Sequence, residues 1–117
     1  MRKDDLIRIR HMYDAASDAL DFVKNKTRND LDDNRILALS LVKSIEIIGE
    51  AASKVSKESR DQFPEIPWVV IVAMRNRLIH AYYDIDLDRV WDTITDDLPP
   101  LASTLEGIIR KSEATKP

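Results

Sequence analysis

The sequence predicts an all-α protein, an antiparallel up-and-down bundle of four long helices with the last one kinked at Pro99-Pro100. Three observations predict it. Apolar residues recur at alternating steps of 3 and 4 in separate long stretches, the repeat of a helix face and not of a strand. Only 2 glycines occur in 117 residues, which leaves few tight turns. Polar or proline-bearing breaks divide the stretches. The length suffices for one helical core and not two, so residues 1–117 are expected to form a single helical domain.

The first stripe is Leu6, Ile9, Tyr13, Ala16, Leu20 and Val23, on a helix of about six turns. His11 lies off this stripe among Arg8, Arg10 and Asp14, and reads as a solvated surface histidine. Lys24 to Asp33 is polar and reads as a connection, with Asp32 or Asp33 a candidate cap for the next helix. The second stripe runs Ala38, Leu41, Ile45, Ile48, Ala52, Val55, and Leu37, Ile47 and Ala51 add apolar surface beyond it. A helix apolar on more than one side is central or shared with a partner. Gly49 within it costs about 1 kcal/mol relative to alanine, a cost that close helix–helix approach would offset. Glu46 and Glu50 face one way; they read first as surface carboxylates, or one of them holds a basic residue of the third helix.

Phe63-Pro64-Glu65-Ile66-Pro67-Trp68 breaks the pattern, and Pro67 suits the first position of a helix running from about Trp68 to about Tyr82. Asp84-Ile85-Asp86 ends that helix, with Asp86 a cap for the next. In the last stretch Leu87, Trp91, Ile94, Leu98, Leu101, Leu105 and Ile108 keep one phase through Pro99-Pro100, which favours one kinked helix over two.

Chemistry gathers in Arg75-Asn76-Arg77-Leu78-Ile79-His80-Ala81-Tyr82-Tyr83. On a helical wheel with Arg75 at the origin, Tyr82 falls a little short of a full circle, close beside it. Tyr83, Asn76 and His80 follow on the other side, at roughly 80°, roughly 100° and roughly 140°. Val70, Ile71, Met74, Leu78 and Ala81 fall between about 220° and about 320°, which predicts a buried stripe beside a polar face. Histidine exchanges protons near neutrality, and arginine holds phosphate by a two-point contact. Together they suit RNA cleavage by its own 2′-hydroxyl, with no metal or cofactor. A base takes the hydroxyl proton, the oxygen attacks phosphorus, and a cation stabilises the charge. The leaving 5′-oxygen needs an acid, and a two-fold dimer would bring a second His80 and Arg75 to the same cleft. Surplus apolar surface on the second helix, with Val72 and Ile79 on the third, is the expected dimer interface.

The net charge of −3 gives no global attraction to nucleic acid, so RNA binding needs a local basic patch. The absence of cysteine excludes disulfides and thiolate metal sites. No apolar run approaches the ~18–20 residues of a membrane span, and Met1 to Asp5 lacks a signal-peptide core. A cytoplasmic protein is expected.

Four motifs then stand in order: Ile45-Glu46-Ile47-Ile48-Gly49-Glu50-Ala51-Ala52; Phe63 to Trp68; Met74 to Tyr83; and Val90-Trp91 with Asp97-Leu98-Pro99-Pro100. In these the chain resembles the HepT-like branch of the HEPN superfamily. The resemblance implies a dimeric helical bundle and a metal-independent ribonuclease toxin of a toxin–antitoxin pair. It makes Arg75 and His80 catalytic, with Asn76 in support; Arg77 and Tyr83 are further candidate RNA contacts. It also implies a minimal nucleotidyltransferase antitoxin of the MntA type, which attaches AMP to the tyrosine two places after the histidine, here Tyr82. The alternative from the same superfamily is a non-catalytic binding or scaffold subunit beside a nucleotidyltransferase.

Overall fold

The computed structural model describes residues 1–79 and 85–114, with the side chains of Leu78 and Ile79 also outside the description. Among the described residues the elements are α1 (Lys3–Phe22), α2 (Asp30–Asp33), α3 (Arg35–Lys54), α4 (Lys57–Gln62), α5 (Trp68–Ile79), α6 (Leu87–Asp92), a π-helical turn (Thr93–Asp97) and α7 (Leu98–Ala114). The last three follow one another without a break, so four long helical rods form the bundle, as the apolar spacing requires. There is no strand among these residues.

The central rod is α3. It packs against α1 and α5, and α7 lies along α1. Ala38, Leu41, Ile45, Ile48, Ala52 and Val55 are all buried, and so are Leu37 and Ala51 from its second apolar face. Each buried leucine, isoleucine or valine among them stabilises the fold by about 1.5–3 kcal/mol, so this helix anchors the core. In α7 and the elements before it, Ile94, Leu98, Leu101, Leu105 and Ile108 are buried as their common phase predicts. In α1 the buried seam is Ile9, Met12, Ala15, Ala16 and Ala19, rotated slightly from the expected stripe. The small alanines let α1 lie close to α3, while Leu6, Tyr13, Leu20 and Val23 cover the margin of the core.

Two polar contacts link the rods. At the start of α1, the Asp5 carboxylate accepts the Ser56 backbone N–H (2.9 Å), the Ser56 hydroxyl (2.5 Å) and the Ser59 hydroxyl (2.7 Å). These serines lie just past the end of α3, so α1 and α3 run antiparallel. Arg10, near the middle of α1, donates to Glu113 at the end of α7 (2.8 Å) and ties those two rods together.

Several local expectations are corrected. The cap of α3 is Asn34, whose side chain accepts the Leu37 N–H at 3.0 Å; Asp32 and Asp33 instead belong to the one-turn α2, held down by buried Leu31. The short α4 carries no apolar stripe to announce it, although Ser56 caps it in the usual way. Pro67 stands one place before α5, where its carbonyl accepts the first helical bond from Ile71. Asp86 does cap α6, accepting the Arg89 N–H at 3.1 Å. The irregularity of the last rod is the π-helical turn directly before Pro99-Pro100. Two adjacent prolines withdraw two N–H donors and press on the preceding turn, and a widened turn relieves both.

The predicted buried stripe of α5 holds only in part. Ile71 is buried and Met74 partly so, but Val70 is 65% exposed and Val69 80%, because no described element of the chain covers that side. Ala81 falls outside the described residues.

Candidate active site

Arg75 reaches its place through a short series of constraints. The turn before α5 is tied by the Trp68 indole N–H, which donates to the Phe63 carbonyl at 3.1 Å. One turn on, Ile71 is buried in the core, and one turn further Arg75 faces the same way, toward α3. There it meets Gly49. A Cβ on Gly49 would collide with Cβ and Cγ of Arg75 and would lie 3.4 Å from the Ile71 carbonyl. The glycine is therefore the notch in which the arginine stem rests.

Beyond the notch Arg75 Nη1 donates to Glu50 Oε2 at 3.0 Å, and the Lys54 ammonium lies 3.2 Å from Glu50 Oε1. The Glu50 carboxyl is held below the usual carboxylate range, chiefly by the hydrogen bond and charge of Lys54, with Arg75 and Arg8 adding to it. The Arg75 side chain is 19% exposed, and its Nε–H is buried without a hydrogen-bond partner. A buried donor of this kind costs about 1–3 kcal/mol, so one side of the guanidinium is positioned by Glu50 while the other is left unmatched.

Arg75 opens onto a cavity of about 290 Å³ at the junction of α1, α3 and α5. Arg8 and His11 enter it from α1, and Lys43 and Lys54 from α3, with Glu46 and Glu50 as the opposing charges. Four permanent cations against two carboxylates leave a local positive excess in a chain whose net charge is −3.

Arg77 goes elsewhere. It is exposed and lines a cavity of about 600 Å³ with Arg89, beneath Asp86, Asp88, Asp92, Asp96 and Asp97. Asn76 is exposed on the same helix. His80, Tyr82 and Tyr83 lie outside the described residues. The structure thus joins Arg75 to Glu50, one of the two carboxylates singled out as a possible anchor, and separates it from Arg77. It also brings in Arg8 and His11, which by sequence alone belong to a solvated surface. No local signal marks them, because His11 and Arg75 stand on different helices, far apart along the chain. Among the described residues no three His, Asp or Glu side chains gather as a metal site requires, and no helix is long and apolar enough to cross a membrane.

Residues 12–108 match the family model described as HepT-like, Ribonuclease HepT-like. The chain belongs to this family. A HepT-like protein of the HEPN superfamily is what the four sequence motifs imply, and at the level of the family this is a ribonuclease with RNA as its substrate class. Among its relatives, a protein of Methanocaldococcus jannaschii named "Putative RNase" is 32% identical over 95 residues, covering 81% of this chain and 87% of the relative. Another of that name, from Caldanaerobacter subterraneus, is 30% identical over 105 residues, 90% of this chain and 94% of its own. A Thermococcus cleftensis protein named "Probable ribonuclease HepT" is 36% identical over 69 residues, 59% of this chain and 63% of its own. No solved structure matches the chain.

Proposed function

We propose that this HepT-like chain is a metal-independent endoribonuclease and the toxin of a toxin–antitoxin pair. The observation that carries the reading is Arg75, seated in the Gly49 notch, anchored by Glu50 and opening onto a cation-lined cavity. Its guanidinium holds the scissile phosphate and stabilises the charge that grows on it during attack. His80 takes the proton from the 2′-hydroxyl, O2′ bonds to phosphorus, and the bond to the 5′-oxygen breaks. The leaving oxygen takes a proton from the second His80 of a homodimer, giving a 2′,3′-cyclic phosphate and a 5′-hydroxyl. Asn76 supports this pair. Exposed Val69 and Val70 on α5, with Ile36 and Leu39 on α3, supply apolar surface for such a dimer, in place of the expected Val72, which packs partly against the core.

The test is cleavage of RNA by the purified protein in EDTA, with the ends identified by mass spectrometry. Cyclic phosphate ends, and a loss of roughly 10²-fold or more in His80→Ala at unchanged helicity, are expected. A folded wild-type protein that binds RNA and never cuts it would leave the scaffold role in its place.

The switch in this reading is Tyr82. A minimal nucleotidyltransferase antitoxin transfers AMP from ATP to the phenolic oxygen, releasing pyrophosphate. On the helical wheel Tyr82 lies about 20° from Arg75, so the added phosphodiester would compete for the guanidinium and the nucleoside would occupy the RNA path. Incubation with ATP and the cognate transferase should add AMP at Tyr82 and silence cleavage. Addition at Tyr83, or full activity after complete modification, overturns the switch.

A further inference from the structure

We infer that the groove between α1 and α3, with Arg8 and His11 along one wall and Lys43 toward its far end, is an RNA subsite that binds backbone phosphates on from the one held by Arg75. The inference rests on the ribonuclease reading and says where the rest of the strand lies.

The cavity does not end at Arg75. Lys43 and Lys54 stand three turns apart on α3, about 16 Å along its axis, so the groove is long enough for more than one phosphate. At the Lys54 end one carboxylate, Glu50, faces both Lys54 and Arg75, so the cations outnumber it. At the other end Lys43 lies 3.7 Å from Glu46, a loose pair, and the Lys43 side chain is 69% exposed. Arg8, one turn beyond the Asp5 clamp and so on the Glu50 side of the groove, is half-buried and forms no ion pair among the described residues. His11, exposed one turn along α1, offers an imidazole N–H beside it.

Phosphate is the ligand this chemistry recognises. The cations come from packed helices and line one groove, so they act together on an anion. Ile47 and Ala51 form its floor, a low-dielectric wall that strengthens attraction for an anion. The positive excess of this groove supplies the local patch that an acidic chain needs in order to hold RNA at all. A single strand laid in it would place one phosphate at Arg75 and the next toward Arg8.

The test uses the full chain carrying Arg8→Gln and Lys43→Gln together, with Arg89→Gln/Lys111→Gln as a charge-matched control on other surfaces. Binding of a fully 2′-O-methylated decanucleotide, which cannot be cut, is followed by fluorescence anisotropy across a potassium chloride series. The groove variant should bind about tenfold more weakly, and its log–log salt slope should shrink by roughly 1.4, the value for two lost phosphate contacts on a single strand. The control should keep affinity within about twofold of wild type and its salt slope within roughly 0.3. In cleavage, KM for a pentanucleotide should rise at least about fivefold more than KM for a dinucleotide, which has only the scissile phosphate. Equal losses on both substrates, or an unchanged salt slope in a variant with wild-type helicity, overturn the subsite. If wild type binds but never cuts, and the groove variant still loses affinity and slope, the ribonuclease reading fails while the RNA groove stands.

Discussion

Arg75 and Arg77 are two residues apart on one helix and live in opposite electrostatic surroundings. About 200° of helical rotation separates them, which sends Arg75 inward to α3 and Arg77 outward over α6 and the π-helical turn. The first meets a glycine notch, one anchoring carboxylate and three further cations. The second meets five aspartates and one other arginine. A charged side chain is made useful to an anion by what surrounds it, and here one helix supplies both surroundings within about half a turn.

The largest expected effect separates the two directly. Arg75→Ala should lower kcat/KM for RNA cleavage by roughly 10²–10³-fold, the scale of losing a preorganised charge stabiliser. Arg77→Ala should change it only a few-fold and mainly through KM, because its carboxylate neighbours oppose a bound phosphate. Steady-state kinetics on one RNA compares them, and equal losses would break the distinction.

Gly49→Ala comes next. The new methyl must push the Arg75 stem aside, so overpacking of about 1–3 kcal/mol in stability is expected, read as a lower urea midpoint at unchanged slope. Activity should fall about tenfold or more at temperatures where the variant is fully folded, since a displaced guanidinium no longer meets the phosphate squarely. Full activity in a folded Gly49→Ala protein would show that the notch is only packing.

The Asp5 clamp holds α1 so that Arg8 and His11, further along the same helix, face the groove. Burial raises the Asp5 carboxyl, but the Ser56 and Ser59 hydroxyls and the Ser56 N–H outweigh it, and the net shift is downward from 3.8. Its stabilisation is therefore complete above the unfolded value and is lost as pH falls below about 3.8 through the folded value. Asp5→Ala should cost about 1–3 kcal/mol near pH 7, and thermal melts of the two proteins should converge as pH drops below that range. A constant gap across pH would mean the clamp acts by packing alone.

The smallest effect belongs to the acidic side. Asp92→Asn with Asp96→Asn should alter KM for RNA by less than about twofold at physiological salt, where charges farther than about 8 Å from the strand are screened. A marked tightening would route RNA past Arg77 and reverse the comparison.

Much of the fold is legible in the chain itself. The 3–4 spacing of Ala38, Leu41, Ile45, Ile48, Ala52 and Val55, and of Ile94 through Ile108, reports directly on helix faces, and those residues are buried. Caps are less secure: Asp86 caps its helix as expected, whereas Asn34 takes the role expected of Asp32 or Asp33, which have the same capping chemistry. The exposure of Val69 and Val70 is not legible, because periodicity identifies an apolar residue but not whether a neighbour covers it.

For the site, the sequence by itself determined the chemistry on offer: an arginine and a histidine five positions apart, a glycine followed by glutamate in the preceding long helix, and membership of a family through four ordered motifs. Only the tertiary structure decided what the arginine touches. Gly49 and Glu50 meet Arg75 across a helix–helix contact, and Arg8 and His11 reach the same cavity from a third helix. The physical reason is range. A helix fixes the angles of its own side chains through local hydrogen bonds, but charges on separate helices become neighbours only when burial of their apolar faces brings the rods together.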